Sequence, residues 1–140
     1  KLFGSSFGAV HMTWGAINEL STLHGYKRLW ELAKHPVLEH ILRLIAREES
    51  RHAMFYWSIA RIKLQNSGFS QKLTKFMIDL FWTPVGQGAK PKAATVYVMK
   101  TLFSGDGQQL FDKYVNNRIQ QLPGLSNLDT INRTMAADLA

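Results

Sequence analysis

Glu49, Ser50, Arg51 and His52 set a carboxylate and an imidazole three residues apart, and Glu19 precedes them on another apolar stretch. Positions i and i+3 are neighbours on one helical face. A carboxylate oxygen and an imidazole nitrogen so placed can hold one ion together. Glu19, on an adjacent helix, would add a bridging or terminal oxygen. Oxygen and nitrogen donors without sulfur suit iron or manganese, with zinc a further candidate. All three fall among apolar residues at helical spacing, and a charge aimed at a hydrophobic interior needs a partner. That partner is either a metal ion or, in a plainer reading, a hydrogen-bonded polar patch of Glu49 and His52 with Tyr26 or Tyr56.

Two long helices must position these groups. From about residue 7 to residue 34, Met12, Gly15, Ala16, Glu19, Thr22, Leu23, Tyr26, Trp30 and Ala33 share one face at 100° per residue. Val10, Trp14, Ile17 and Leu32 make the rest of that segment apolar too, as in a helix buried within a bundle. His35-Pro36 ends it. A second helix is expected over about residues 36–65, with Leu38, Ile41, Leu42, Ile45, Tyr56, Ile59 and Ala60 as its apolar stripe and Glu49 and His52 in the middle. The short connection makes the two antiparallel neighbours. Gly15, Ala16 and Thr22 around Glu19 are small and are expected to leave space beside an ion.

Asn66-Ser67-Gly68 is a stop signal. Shorter helices are expected over about residues 70–82, 92–103 and 108–121, separated by Pro84, Gly86-Gln87-Gly88 and Gly105-Asp106-Gly107. Pro123-Gly124 ends the last of these, and Asn127 or Asp129 can cap a final helix. The expected architecture is all-α: two long antiparallel helices and three or four shorter ones in a single domain spanning residues 1–140.

Composition narrows the function. The chain has 140 residues, 46% hydrophobic, enough for one packed core. The absence of cysteine excludes disulfides and thiolate metal sites, and agrees with a reducing compartment. No apolar run approaches the ~18 residues of a membrane span, and no secretory signal opens the chain. Seventeen Lys and Arg against ten Asp and Glu give a formal charge of +7, which favours acidic partners. No arginine-glycine tract or RNA-binding aromatic signature is present, so nucleic acid is not the expected partner.

The ligand set is half of a known one. In ferritin-like di-metal bundles two helices each give a glutamate and two others each give Glu-x-x-His. This chain holds one of each, and neither Glu31 with His35 nor Glu39 with His40 has the spacing for a second. The remaining ligands are expected on residues before Lys1, which is not an initiator methionine, or on a second chain. The chain resembles the soluble acyl-carrier-protein desaturases, a di-iron branch of the ferritin-like proteins. Their second ligand half has a Glu-Arg-Ala-Thr segment and then Ile-Ala-x-Asp-Glu-Lys-Arg-His. Here stand Glu19-Leu20-Ser21-Thr22 and Ile45-Ala46-Arg47-Glu48-Glu49-Ser50-Arg51-His52. Pro84, Gly105-Asp106-Gly107 and Leu110-Phe111-Asp112 extend the likeness loosely toward the C-terminus.

The resemblance implies that the chain is the C-terminal part of a larger ferritin-like domain. Glu19, Glu49 and His52 would be iron ligands. Thr22 would line the oxygen side of the site as its catalytic hydroxyl. Glu48 would stand behind a metal-bound histidine and orient it. The implied activity is O2-dependent desaturation of an acyl chain held in an apolar channel. An acidic acyl carrier protein and an external electron donor such as a ferredoxin would be the partners, in the cytoplasm or, in a eukaryote, the plastid stroma. Two other classes stay open: a metal-binding oxidase completed by a second copy in a homodimer, and a metal-free helical scaffold or interaction module. Alone, the chain is expected to bind metal poorly and to self-associate.

Overall fold

The protein is described over residues 2–139 by a computed structural model. It is all-helical, with no named strand among the described residues. The elements are α1 (Leu2–Ala33), α2 (Pro36–Gln65), α3 (Gly68–Phe81), α4 (Lys92–Phe103), α5 (Asp106–Phe111), a π-helical turn (Asp112–Asn116), α6 (Asn117–Gln120) and α7 (Thr130–Leu139). The α5, π and α6 segments run on as one interrupted helix.

Local chemistry sets the boundaries. Lys34 closes α1 in the left-handed region at φ 45°. His35 then caps α2, its Nδ1 accepting from the Leu38 amide at 3.4 Å, with Pro36 in the first turn. Ser67 caps α3 by accepting from the Ser70 amide at 3.1 Å. Arg28 of α1 pins the turn between α4 and α5. Its Nε donates to the Leu102 carbonyl at 3.1 Å, and its guanidinium pairs with Asp106.

The α1–α2 pair is antiparallel and closely packed. Gly8 lies against Lys63, Gly15 against Tyr56, and Glu19 against His52. Each step forward along α1 is matched by an equal step back along α2. The face α2 buries is Leu42, Ala46, Ala53, Trp57, Ala60 and Leu64, which keeps Leu42 and Ala60 of the expected stripe and corrects the rest. Leu38 and Ile41 are exposed, and Ile45, Tyr56 and Ile59 are half-buried. Three of the six buried members are alanines. A periodicity weighted toward large residues points instead to a flank about 75° away. The buried face of α1 is rotated likewise, onto Ala9, Thr13, Ala16, Ile17, Leu20 and Leu23.

The remaining helices cover the back of this pair. Ser6 and Ser70 share a hydrogen bond at 2.9 Å between α1 and α3. Trp57 of α2 donates from Nε1 to the Arg118 carbonyl of α6 at 3.0 Å. The π turn carries Tyr114, stacked on His24 of α1 at 4.9 Å. Burial, and then the nearby Lys27, pull the His24 pKa down to about 4, so it is neutral at pH 7. Residues 121–129, read from Pro123-Gly124 as a simple break, are a series of tight turns. The amides of Leu122, Leu125 and Leu128 donate to the carbonyls three residues before them, at 2.9, 3.1 and 3.0 Å. That period of three buries all three leucines.

Phe111 is 1% exposed and meets Phe103 edge-on at 5.3 Å. Phe111→Ala is expected to lower unfolding stability by about 3–5 kcal/mol, measured by urea denaturation.

Candidate metal centre

Glu19 comes from the middle of α1, and Glu49 and His52 from successive turns of α2. The antiparallel register sets Glu19 opposite His52, and the helical repeat sets Glu49 beside it. One ligand atom from each of the three lies within 4.8 Å of the other two. His52 Nδ1 is 3.7 Å from a Glu19 carboxylate oxygen and 3.7 Å from one of Glu49. Donors about 2.1 Å from a shared ion in tetrahedral arrangement stand about 3.4 Å apart. The two histidine–carboxylate separations need a contraction of only a few tenths of an ångström, and the three donors lie close enough together to fit a metal ion.

The triad stands at the edge of the buried seam, and this corrects the expectation that it faces the interior. Glu19 and Glu49 keep 25% and 20% of their side-chain surface open, and His52 keeps 59%. The site opens outward along the groove between α1 and α2. Its exposed flank carries Val37, Ile41, Leu44 and Phe55, apolar side chains without cover from the described residues.

Electrostatics mark Glu19. Its pKa is raised from 4.5 to about 7, first by burial, then by a hydrogen bond with Glu49 and the charge of that carboxylate; His52 opposes the shift. A proton on Glu19 spares it the repulsion of the neighbouring carboxylate. A divalent cation would displace that proton, so metal binding and Glu19 deprotonation are linked.

Thr22 is half-buried, one turn after Glu19, and the register sets it opposite Glu49. It also lines an apolar cavity of about 310 Å3 between α1 and α4. Ser21, Gly25 and Tyr26 form its α1 wall, and Trp82, Met99, Leu102, Phe103 and Met135 face them. Thr22 therefore lies between the triad and the cavity. Glu48 is not where it was expected. Its carboxylate is 51% open and accepts from Arg51 at 2.9 and 3.0 Å, with Arg47 at 4.0 Å. The rotation of the buried face of α2 turns that flank to solvent, so Glu48 belongs to a surface ion pair.

An apolar channel was expected from the resemblance, but its place between α1 and α4 and the role of Tyr56 were not read from the sequence. Gly15 does not leave space beside the ion. The Tyr56 ring fills it, and a Cβ at Gly15 would lie 2.3 Å from Tyr56 Cδ1. The only sequence signal was the spacing, Gly15 one turn before Glu19 and Tyr56 one turn after His52. No protein-family model, curated protein or solved structure matches the chain.

A carboxyl group whose folded pKa exceeds its ordinary value stabilises the fold while protonated. The Glu19 contribution is complete below pH 4.5 and is lost as pH rises through about 7. Glu19→Gln, neutral throughout, is expected to flatten the thermal-midpoint profile across that window. It should be the more stable chain at about pH 8, measured by circular dichroism melts in metal-free buffer.

Proposed function

We propose that this chain is one half of a ferritin-like di-metal oxidoreductase of the kind represented by the acyl-carrier-protein desaturases. The observation that carries the reading is the convergence of Glu19, Glu49 and His52 on one point. The matching segments Glu19–Thr22 and Ile45–His52 support it. So does the apolar cavity that begins one turn from Glu19.

Within this reading Glu19 and Glu49 supply oxygen donors and His52 a nitrogen donor, the set that suits iron, or manganese in its place. When bound, a reduced di-iron centre supplies O2 activation strong enough to remove hydrogen from an unactivated carbon. Glu19 would lose its proton on binding the cation, which would take the proton's place. The Thr22 hydroxyl stands at the boundary between triad and cavity, able to accept or return a proton there. The cavity walls hold an acyl chain by apolar contact and keep water from the reacting carbons. The basic surface suits docking of an acidic acyl carrier, and electrons come from an external donor such as a ferredoxin. One further glutamate and one further Glu-x-x-His complete the set from outside these 140 residues.

The exposed apolar flank beside His52 favours a second reading, in which a second copy supplies the missing half about a two-fold axis. Light scattering of the 140-residue chain with and without Fe(II) separates the two. Dimerisation that depends on metal marks the second.

The decisive experiment is anaerobic Fe(II) loading of the complete protein, followed by elemental analysis. About two irons per set of ligands are expected. Glu49→Gln and His52→Ala are each expected to weaken iron retention by about tenfold or more. A complete protein that retains no iron would sink the proposal.

A further inference from the structure

We propose that Gly15 and Tyr56 form a steric lock that fixes the register of α1 against α2 and so holds Glu19 in place opposite His52. Tyr56 is thereby a positioning residue of the centre. The inference rests on reading Glu19, Glu49 and His52 as metal ligands.

Three observations carry it. The first is contact. A Cβ built on Gly15 would lie 2.3, 2.5 and 2.9 Å from Cδ1, Cε1 and Cγ of Tyr56. Carbon atoms pack at about 3.5–4.0 Å, so any side chain at position 15 would drive the ring or the helix back by about 1 Å or more. The contact includes Cγ, the ring's root, so a small swing of the ring tip does not relieve it. Tyr56 is also held between neighbours: Phe55 meets its ring edge-on at 5.6 Å and His11 at 6.3 Å.

The second is placement. Gly15 is one turn before Glu19 on α1, and Tyr56 is one turn after His52 on α2. The helices are antiparallel, so the ring sits in the layer directly beside the ligands. Gly8 and Lys63 meet seven residues further along each helix, in the same register. At that contact, however, the atoms near Gly8 belong to the flexible end of a lysine. Among the described glycines of the seam, Gly15 alone is filled by a ring.

The third is tolerance. A slip of one residue along a helix moves a side chain by about 1.5 Å and turns it by about 100°. A metal site works within about 0.5 Å of its productive geometry. The alanines of the seam are interchangeable small contacts and resist such slips weakly. A ring seated in a glycine notch resists them strongly, because only Gly15 lacks a side chain there and its neighbours Trp14 and Ala16 would bring one into the ring's place.

The test is Co(II) binding followed by ligand-field absorption, with circular dichroism establishing that each variant is folded. Gly15→Ala should weaken Co(II) binding by about tenfold or more and shift the absorption bands, although alanine is the better helix former. Tyr56→Phe keeps the ring and should bind within about twofold of the parent. In the double variant Gly15→Ala with Tyr56→Ala the new methyl group has room, and binding should recover by about threefold or more over Gly15→Ala alone. The lock is overturned by a Gly15→Ala chain that binds as the parent does, or by a double variant that binds no better than the single. Equal losses in Tyr56→Phe and Gly15→Ala also overturn it, since the hydroxyl and not the ring would then matter. If the unaltered chain shows no cobalt bands, its half set binds too weakly alone; iron loading of the complete protein then judges the metal reading, and a crystal structure of the Gly15→Ala chain decides the lock. A Glu19–His52 separation still at 3.7 Å would overturn it, and a displacement of about 1 Å or more would uphold it.

Discussion

The close antiparallel seam between α1 and α2 is the contact on which the other features depend. Alanines at positions 46, 53 and 60 recur every seven residues along α2 and are buried, and Ala53 and Ala60 share the core cluster with Ala9 and Ala16 of α1. Small side chains on both sides let two long helices run together over most of their length. That closeness sets the distance across the groove, and with it the reach of a glutamate on one helix to a histidine on the other. The later helices stack on the opposite side of the pair and leave the groove's outer edge open. The apolar cavity forms where α4 and the end of α3 lean on the second half of α1. The triad and the cavity are thus two consequences of one seam, on adjoining flanks of a single helix.

Much of the fold was legible in the sequence because its punctuation is strong. Pro36 fixes the start of α2, Asn66-Ser67-Gly68 fixes its end, and the limits of α4 follow from Pro91 and Ser104-Gly105. The meeting of Glu19 with Glu49 and His52 was legible too, because a tight hairpin leaves little freedom in register. The orientation of the helix faces was not. Alanine contributes little to a hydrophobic pattern, yet it is what the seam buries, so the pattern singled out the neighbouring flank. The resemblance, and not the pattern, put Glu48 beside Glu49 and His52, and small size alone made Gly15 a space instead of a socket. The π turn had no signal at all, since one extra residue in a helical turn leaves the composition unchanged. Leu122, Leu125 and Leu128 did carry one: a spacing of three that the Pro-Gly pair in their midst obscured.

The triad combines two demands that oppose each other. Two carboxylates beside an imidazole attract a cation, and without one they must share a proton or repel. The hydrogen bond between Glu19 and Glu49 eases the conflict, and the packing of α1 on α2 keeps the two carboxyl groups together. Sites of this kind are held against their own electrostatics, and their geometry is a property of the scaffold. The neutral His24, sealed against Tyr114 on the other side of α1, shows the contrasting case. There burial disfavours the charge, and the ring stacks on Tyr114.

The outward tilt of the triad bears on the order of assembly. An ion held by two partly open carboxylates and a largely exposed imidazole has water beside it, and water-accessible ions exchange quickly. Loading would then follow folding of the hairpin and stay reversible for as long as the groove is uncovered. Whatever closes over His52 would trap the ion, converting a labile complex into a kinetically inert one. The hairpin would act as a vestibule in which metals are sampled, with the choice made permanent only at the moment of closure.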